Sequence, residues 1–246
     1  MKTGIIIGAT SGIGLEVSRQ LVQKGWKLGI AGRRVELLEK IQAELGKNNI
    51  EIGFIDIAAE NSEDQLKKLI QRTEENFGKI DLIFNVSGIG SQNKDLKLDI
   101  ELNTVKTNAL GFTRMMDTAF QYFTEKGSGH IAAVSSIAGT KGLGAAPAYS
   151  ATKRFQNTYL QCLAQLATIR NLDIKFTDIR PGFVDTDLLK TGTYPLLMKP
   201  TDVAKSIVKA IESKKRKLVI DWKYAIITFF WRLIPDCIWE RLKISN

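Results

Sequence analysis

A chain of 246 residues, 44% hydrophobic and 25% charged, is long enough to bury one full-sized α/β core and too ordinary in composition to be disordered or fibrous. Its formal charge of +9 is concentrated at one end, where residues 213–246 set eight cations against three carboxylates. No basic stripe with interleaved aromatics precedes residue 213, which argues against a nucleic-acid partner. Cys162 and Cys237 have no metal or redox spacing and read as buried thiols of a reducing compartment. The opening residues run straight into a strand without a long apolar targeting segment, which predicts a cytoplasmic chain.

Apolar runs alternate with amphipathic stretches throughout. Strands are predicted at Thr3–Gly8, Trp26–Ala31, Ile50–Ile55, Ile80–Asn85, His130–Ser135, Leu172–Ile179 and Lys217–Ile220. Helical spacing covers Ile13–Lys24, Val35–Leu45, Ser62–Phe77, Ile100–Thr124, Ala148–Ile169 and Thr201–Ser213. Strand–helix alternation without hairpin turns predicts a parallel sheet covered on both faces. The fold class is therefore α/β, a doubly wound, seven-stranded, Rossmann-like sandwich of three α/β/α layers. Residues 1–222 read as one domain and 223–246 as an apolar and basic helical extension. Ligands of such sheets bind at the C-terminal ends of the strands.

The chemistry-bearing residues follow those ends. After the first strand, Gly8-Ala9-Thr10-Ser11-Gly12-Ile13-Gly14 would let the backbone approach a diphosphate at a helix N-terminus. After the second, Gly32 stands where NAD-selective sites place an acid. Arg33 and Arg34 follow it and suit a 2′-phosphate, so NADP(H) is favoured over NAD(H). Asp56-Ile57 offers a carboxylate to an adenine amino group, or else an acid at a helix start. Asn85-Val86-Ser87-Gly88 leaves room for a ribose. Asn108 interrupts a helix, where tolerated polar surface is the usual explanation. Ser136 precedes Tyr149 by a loop that would let both hydroxyls face one carbonyl. His130 reads as structural, and no metal cluster is expected. Arg180-Pro181-Gly182-Phe183-Val184-Asp185-Thr186 makes a turn that presents a hydroxyl to a carboxamide.

Tyr149 and Lys153 lie one turn apart on one helical face. A phenol of pKa about 10 is a poor base near neutrality. A lysine charge beside it is expected to pull that value down and let the pair move a proton on and off an alcohol oxygen.

In order and spacing, these motifs resemble the short-chain dehydrogenase/reductase family. The resemblance rests on Gly8/Gly12/Gly14, Asn85–Gly88, Asn108, Ser136, Tyr149 with Lys153, and Pro181-Gly182 with Thr186. It implies a nicotinamide cofactor held by these residues with Thr10, Ser11, Ile13, Ser87 and Val184. It also implies dimers or tetramers packed through the helices around 100–124 and 148–169. Tyr149 would be the general acid/base, and Lys153 would tune it and hold the nicotinamide ribose. Ser136 would bond the substrate oxygen, and Asn108 would hold a relay water. Val86 and Ser87 depart from the usual Asn-Ala, with small volume kept at position 87.

The segment 186–200 reads as a substrate lid. Leu188 and Tyr194, opposed by Leu143 on the serine loop, predict a hydrophobic carbonyl compound or alcohol. The tail Tyr224–Ile234 is too short to span a bilayer, which takes about 20 residues. It would lie on the inner membrane surface, cap the pocket or seal an oligomer. The rival readings are a catalytically idle dinucleotide-binding regulator and an NAD-preferring dehydrogenase of the same fold.

Overall fold

The computed structural model describes residues 1–189 and 194–244. Seven parallel strands form one sheet in the order β3-β2-β1-β4-β5-β6-β7. They are β1 (Thr3–Ile7), β2 (Lys27–Gly32), β3 (Ile50–Phe54), β4 (Leu82–Asn85), β5 (Ser128–Val134), β6 (Asp173–Pro181) and β7 (Lys217–Ile220). Every residue of β1 is buried, as a central strand with helices on both faces requires.

Alternate side chains feed two cores. Ile5, Ile7, Ile83 and Ile131 face one side and pack with Phe112, Met115, Phe120 and Leu160. Those partners come from α5 (Phe112–Lys126) and α6 (Pro147–Ile169), beside α3 (Ser62–Phe77). Ile6, Ile30, Phe84 and Ile179 face the other side and pack with Val17, Leu21, Leu38 and Ile207. These lie on α1 (Gly12–Gln23), α2 (Val35–Leu45) and α7 (Pro200–Glu212). The sandwich follows from a two-residue strand period meeting a 3.6-residue helix period.

The helix expected over 100–124 is not uniform. It begins as α4 (Leu98–Val105), passes through a π-helical segment (Lys106–Gly111) and continues as α5. Hydrophobic spacing cannot show such a register slip, which frequently marks functional sites. Asn108 is fully buried in that segment, correcting the expectation of polar surface. Cys162 and Cys237 are also corrected. Both are exposed, Cys162 on the outer face of α6 and Cys237 in the short α9 (Asp236–Trp239).

Beyond β7 the chain forms α8 (Trp222–Leu233), capped where the Asp221 side chain accepts from the Lys223 N–H. Its buried side is narrow, with Tyr224 and Thr228 one turn apart. The Trp239 ring N–H donates to the Gly142 carbonyl at 2.6 Å, and Lys141 pairs with Asp236, tying α9 to the loop after β5. No helix among the described residues is long and apolar enough to cross a membrane.

Candidate active site

The site is assembled from loops at the C-terminal ends of the strands. Between β1 and α1, Gly8 takes φ +94°, a conformation that favours glycine. A Cβ on Gly14 would come within 2.1 Å of the Gly8 carbonyl oxygen, so the loop folds flat onto the start of α1. Ser11, the N-cap, makes no side-chain cap, and the first turn of α1 holds no acid. The positive end of the helix thus meets a glycine cradle, a fit for a diphosphate. A Cβ on Gly12 would lie 2.9 Å from the Thr186 Cγ2, which brings the loop after β6 against the glycine loop. Gly8 is likewise in contact with Ser87 after β4.

Arg34 donates to the Thr10 hydroxyl at 2.7 Å and to the Ser11 hydroxyl at 2.9 Å, closing the rim of the cradle. Arg33 beside it is exposed. Asp56 is not at a helix start, since α3 begins at Ser62; its carboxylate accepts from the Ala58 N–H in a turn. Ile57 is buried, with its carbonyl against Gly111. Asn85 is buried and accepts from the Ser87 N–H at 3.2 Å. Gly88 packs against both the Asn108 amide and the Lys153 ammonium. Pro181 is still part of β6, and the Gly182 N–H donates to the Ile220 carbonyl, so the turn begins after Gly182. Val184 is buried and bridges Met198.

Tyr149 and Lys153 lie on the first turns of α6, which starts at a proline in the favoured N-terminal position. Ser136 caps a single 3₁₀ turn, Ile137–Gly139, by accepting from the Ala138 N–H at 3.1 Å. It also hydrogen-bonds the Tyr149 hydroxyl. The expected acidification of Tyr149 is not found. Burial pushes the phenol above its ordinary value, and the bond with Ser136 offsets this only in part. Lys153 is itself lowered to about 8 by burial, against the pull of Asp178. Its ammonium lies 5.7 Å from the centre of the Tyr149 ring. It donates to the Val134 carbonyl at 3.1 Å and to Gln156 Oε1 at 3.0 Å.

The Asn108 side chain is spent on structure. It bonds both the N–H and the carbonyl of Ile89, at 2.9 and 2.7 Å, and donates to the Thr152 hydroxyl at 3.3 Å. Its backbone carbonyl accepts from Gln156 Nε2 at 2.8 Å. Gln156 is fully buried and joins Asn108 to Lys153 through one amide. Sequence reasoning missed it. Its signal was the i, i+3 spacing from Lys153 on a face that otherwise points inward. His130 is buried, shares a 2.8 Å hydrogen bond with Thr177 and lies away from these groups at the start of β5.

Leu143 is half-buried and donates its N–H to the Ser150 hydroxyl, while Leu188 is exposed. Tyr194 lies tilted against Phe183 with ring centres 4.9 Å apart. Residues 190–193 of the expected lid lie outside the described residues. The parts on either side are held together by the Asp185 N–H to the Met198 carbonyl and the Met198 N–H to the Phe183 carbonyl.

Comparison with known proteins adds a family. A family model described as short chain dehydrogenase matches residues 2–194. An uncharacterised oxidoreductase of Listeria monocytogenes is 36% identical over 194 residues, covering 78% of each chain. Another, of Myxococcus xanthus, is 26% identical over 243 residues, covering 97% of this chain and 95% of that one. Among solved structures, an alcohol dehydrogenase from the archaeon Thermococcus sibiricus, complexed with 5-hydroxy-NADP, superposes with a TM-score of 0.75 at 25% identity. The match covers 89% of this chain and 96% of that one.

Proposed function

This chain belongs to the short-chain dehydrogenase family and is an oxidoreductase; we propose that it interconverts a hydrophobic carbonyl compound and a secondary alcohol with NADP(H). The observation that carries the reading is the convergence of Ser136, Tyr149 and Lys153 beside Gly88, next to a glycine cradle shaped for a diphosphate.

The bound nicotinamide would supply or accept the hydride. The chain's own groups do the rest. The loop from Gly8 to Gly14 and Thr186 seat the dinucleotide, and Asn85, Ser87, Gly88 and Val184 line its path. Arg33 and Arg34 face the end where a 2′-phosphate would sit, and Asp56 and Ile57 flank the adenine side. Ser136 holds the substrate oxygen against the Tyr149 hydroxyl. Because burial keeps the phenol protonated across neutral pH, Tyr149 is poised as the acid that completes reduction. Behind it stands the Lys153 ammonium, held by the Val134 carbonyl and Gln156, with Gln156 anchored in turn by the Asn108 carbonyl.

For the chain's organisation we propose a dehydrogenase domain over 1–222 and an extension over 223–246. Exposed Leu102, Val105, Leu110 and Phe155 on the helices around 100–124 and 148–169 support a homo-oligomer, dimer or tetramer. Exposed apolar side chains on α8 support a peripheral contact of a cytoplasmic protein with the membrane.

A panel of apolar ketones, aldehydes and secondary alcohols, run with NADPH and with NADH, tests the reading. Turnover with NADPH is expected, and the Tyr149→Phe variant should lose it by orders of magnitude while still binding cofactor. NADPH binding without turnover of any compound would favour the idle regulator; faster turnover with NADH would favour the NAD enzyme.

A further inference from the structure

One cavity of the molecule is lined almost entirely by polar and cationic groups and lies outside the cofactor and substrate loops. It has a volume of about 300 Å³ and sits where α6, β6, β7 and α8 meet. Arg154, Arg180, Lys217 and Arg232 line it, together with Asn157. Arg180 is spoken for, since Asp178 accepts two of its guanidinium N–H groups. Among the described residues, Arg154, Lys217 and Arg232 have no carboxylate partner. They crowd one another: after burial, the charges of Arg180 and Arg154 are what disfavour the charged form of Arg232. Asn157 is 5% exposed, and neither its amide oxygen nor its nitrogen has a hydrogen-bond partner. Buried amides left this way are rare in folded proteins. Cations gathered at one hollow, three of them without a carboxylate, describe a site shaped for an anion.

The cavity opens beside an apolar stripe. On α8, Trp222, Ile226, Phe229, Phe230 and Leu233 fall on one helical face, and each is 49–68% exposed. At about 100° per residue, Lys223 and Arg232 lie on opposite flanks of that face. An apolar stripe edged by cations, with an exposed tryptophan, suits a helix lying in a membrane interface. We infer that the cavity receives the phosphate headgroup of an anionic phospholipid while α8 lies along the bilayer surface. This rests on the peripheral contact proposed above and names its lipid. A second copy of the chain fits less well, because two stripes facing each other across a twofold would bring the cations of both flanks to one seam.

The test is co-sedimentation of the full chain, with NADPH, on vesicles of phosphatidylcholine alone and of phosphatidylcholine mixed with phosphatidylglycerol. Binding to the mixed vesicles should be stronger by about tenfold or more and should weaken with added salt. The combined variant Arg154→Gln, Lys217→Gln, Arg232→Gln should lose that gain. Phe229→Ser with Phe230→Ser should weaken binding to both vesicles, and thermal melting of both variants reports whether they fold. Equal binding to the two vesicles would overturn the headgroup site and leave the peripheral contact standing. No sedimentation with either, joined to a change of oligomeric mass in the Phe229/Phe230 variant, would overturn both and give the stripe to a second copy.

Discussion

At the scale of single residues, the site depends on what touches Lys153. An ammonium in a buried pocket is costly unless its donors are used, and here two go to the Val134 carbonyl and to Gln156 Oε1. Burial nevertheless lowers it to about 8, so the charge is poised close to working pH. Gln156→Leu keeps the volume and removes both the acceptor from Lys153 and the donor to the Asn108 carbonyl. A hydrogen bond to a charged group is worth about 1.5–3 kcal/mol. The expected outcome is a fall in kcat of roughly tenfold to a hundredfold. The alkaline limb of the rate profile should move to lower pH, because the unsupported ammonium gives up its proton more readily. Unchanged limbs with a merely reduced melting temperature would leave Gln156 a packing residue. Tyr149 and Lys153 were legible from their spacing taken with the other motifs, the glycine loop, Ser136 and Asn108. Gln156 was not, because a glutamine inside a helix carries no pattern until its two partners, 48 and 3 residues away, are in place.

At the scale of elements, strands were readable because a parallel strand buried on both faces is an unbroken apolar run. Helix ends fall at Pro147, Pro200 and Gly127, the last closing α5 in a left-handed conformation. The side each element presents was harder. The tail was plainly apolar, yet only the packed chain shows that Tyr224, not its phenylalanines, faces inward. That tyrosine ties α8 to the segment proposed as a substrate lid. Its hydroxyl donates to the Pro195 carbonyl at 2.7 Å and accepts from the Phe183 N–H at 3.3 Å, and its ring packs flush on Gly182. It therefore holds both flanks of the segment before α7. Tyr224→Phe keeps the ring and frees the lid, at a cost of about 1 kcal/mol for the lost bond. The expected reading is a KM for the carbonyl substrate raised about fivefold, with NADPH affinity unchanged. Equal losses in both constants would mean that the tyrosine supports the whole fold rather than the lid.

At the scale of the whole molecule, strand order was legible only as a class, since alternation predicts a doubly wound sheet and register comes from packing. His130 shows how such packing creates a pH dependence that composition hides. It stands in β5 between Leu82 and Lys175, 3% exposed and bonded to Thr177. Burial, with help from the charges of Lys214 and Lys2, lowers it to about 4 from an ordinary value of 6.5. As pH falls through 6.5 the unfolded chain takes up a proton that the folded one refuses until about 4. Stability present above 6.5 is therefore lost progressively across that window. The difference corresponds to about 3 kcal/mol, a large share of the 5–15 kcal/mol that holds a typical domain together. Carboxylates titrate in the same range, so the comparison must be with a variant lacking the imidazole. Urea unfolding of the wild type and of His130→Gln, which keeps a donor for Thr177, should show the wild type losing more stability between pH 7 and pH 4.5. Parallel losses in the two proteins would move the acid sensitivity from this buried imidazole to the carboxylates.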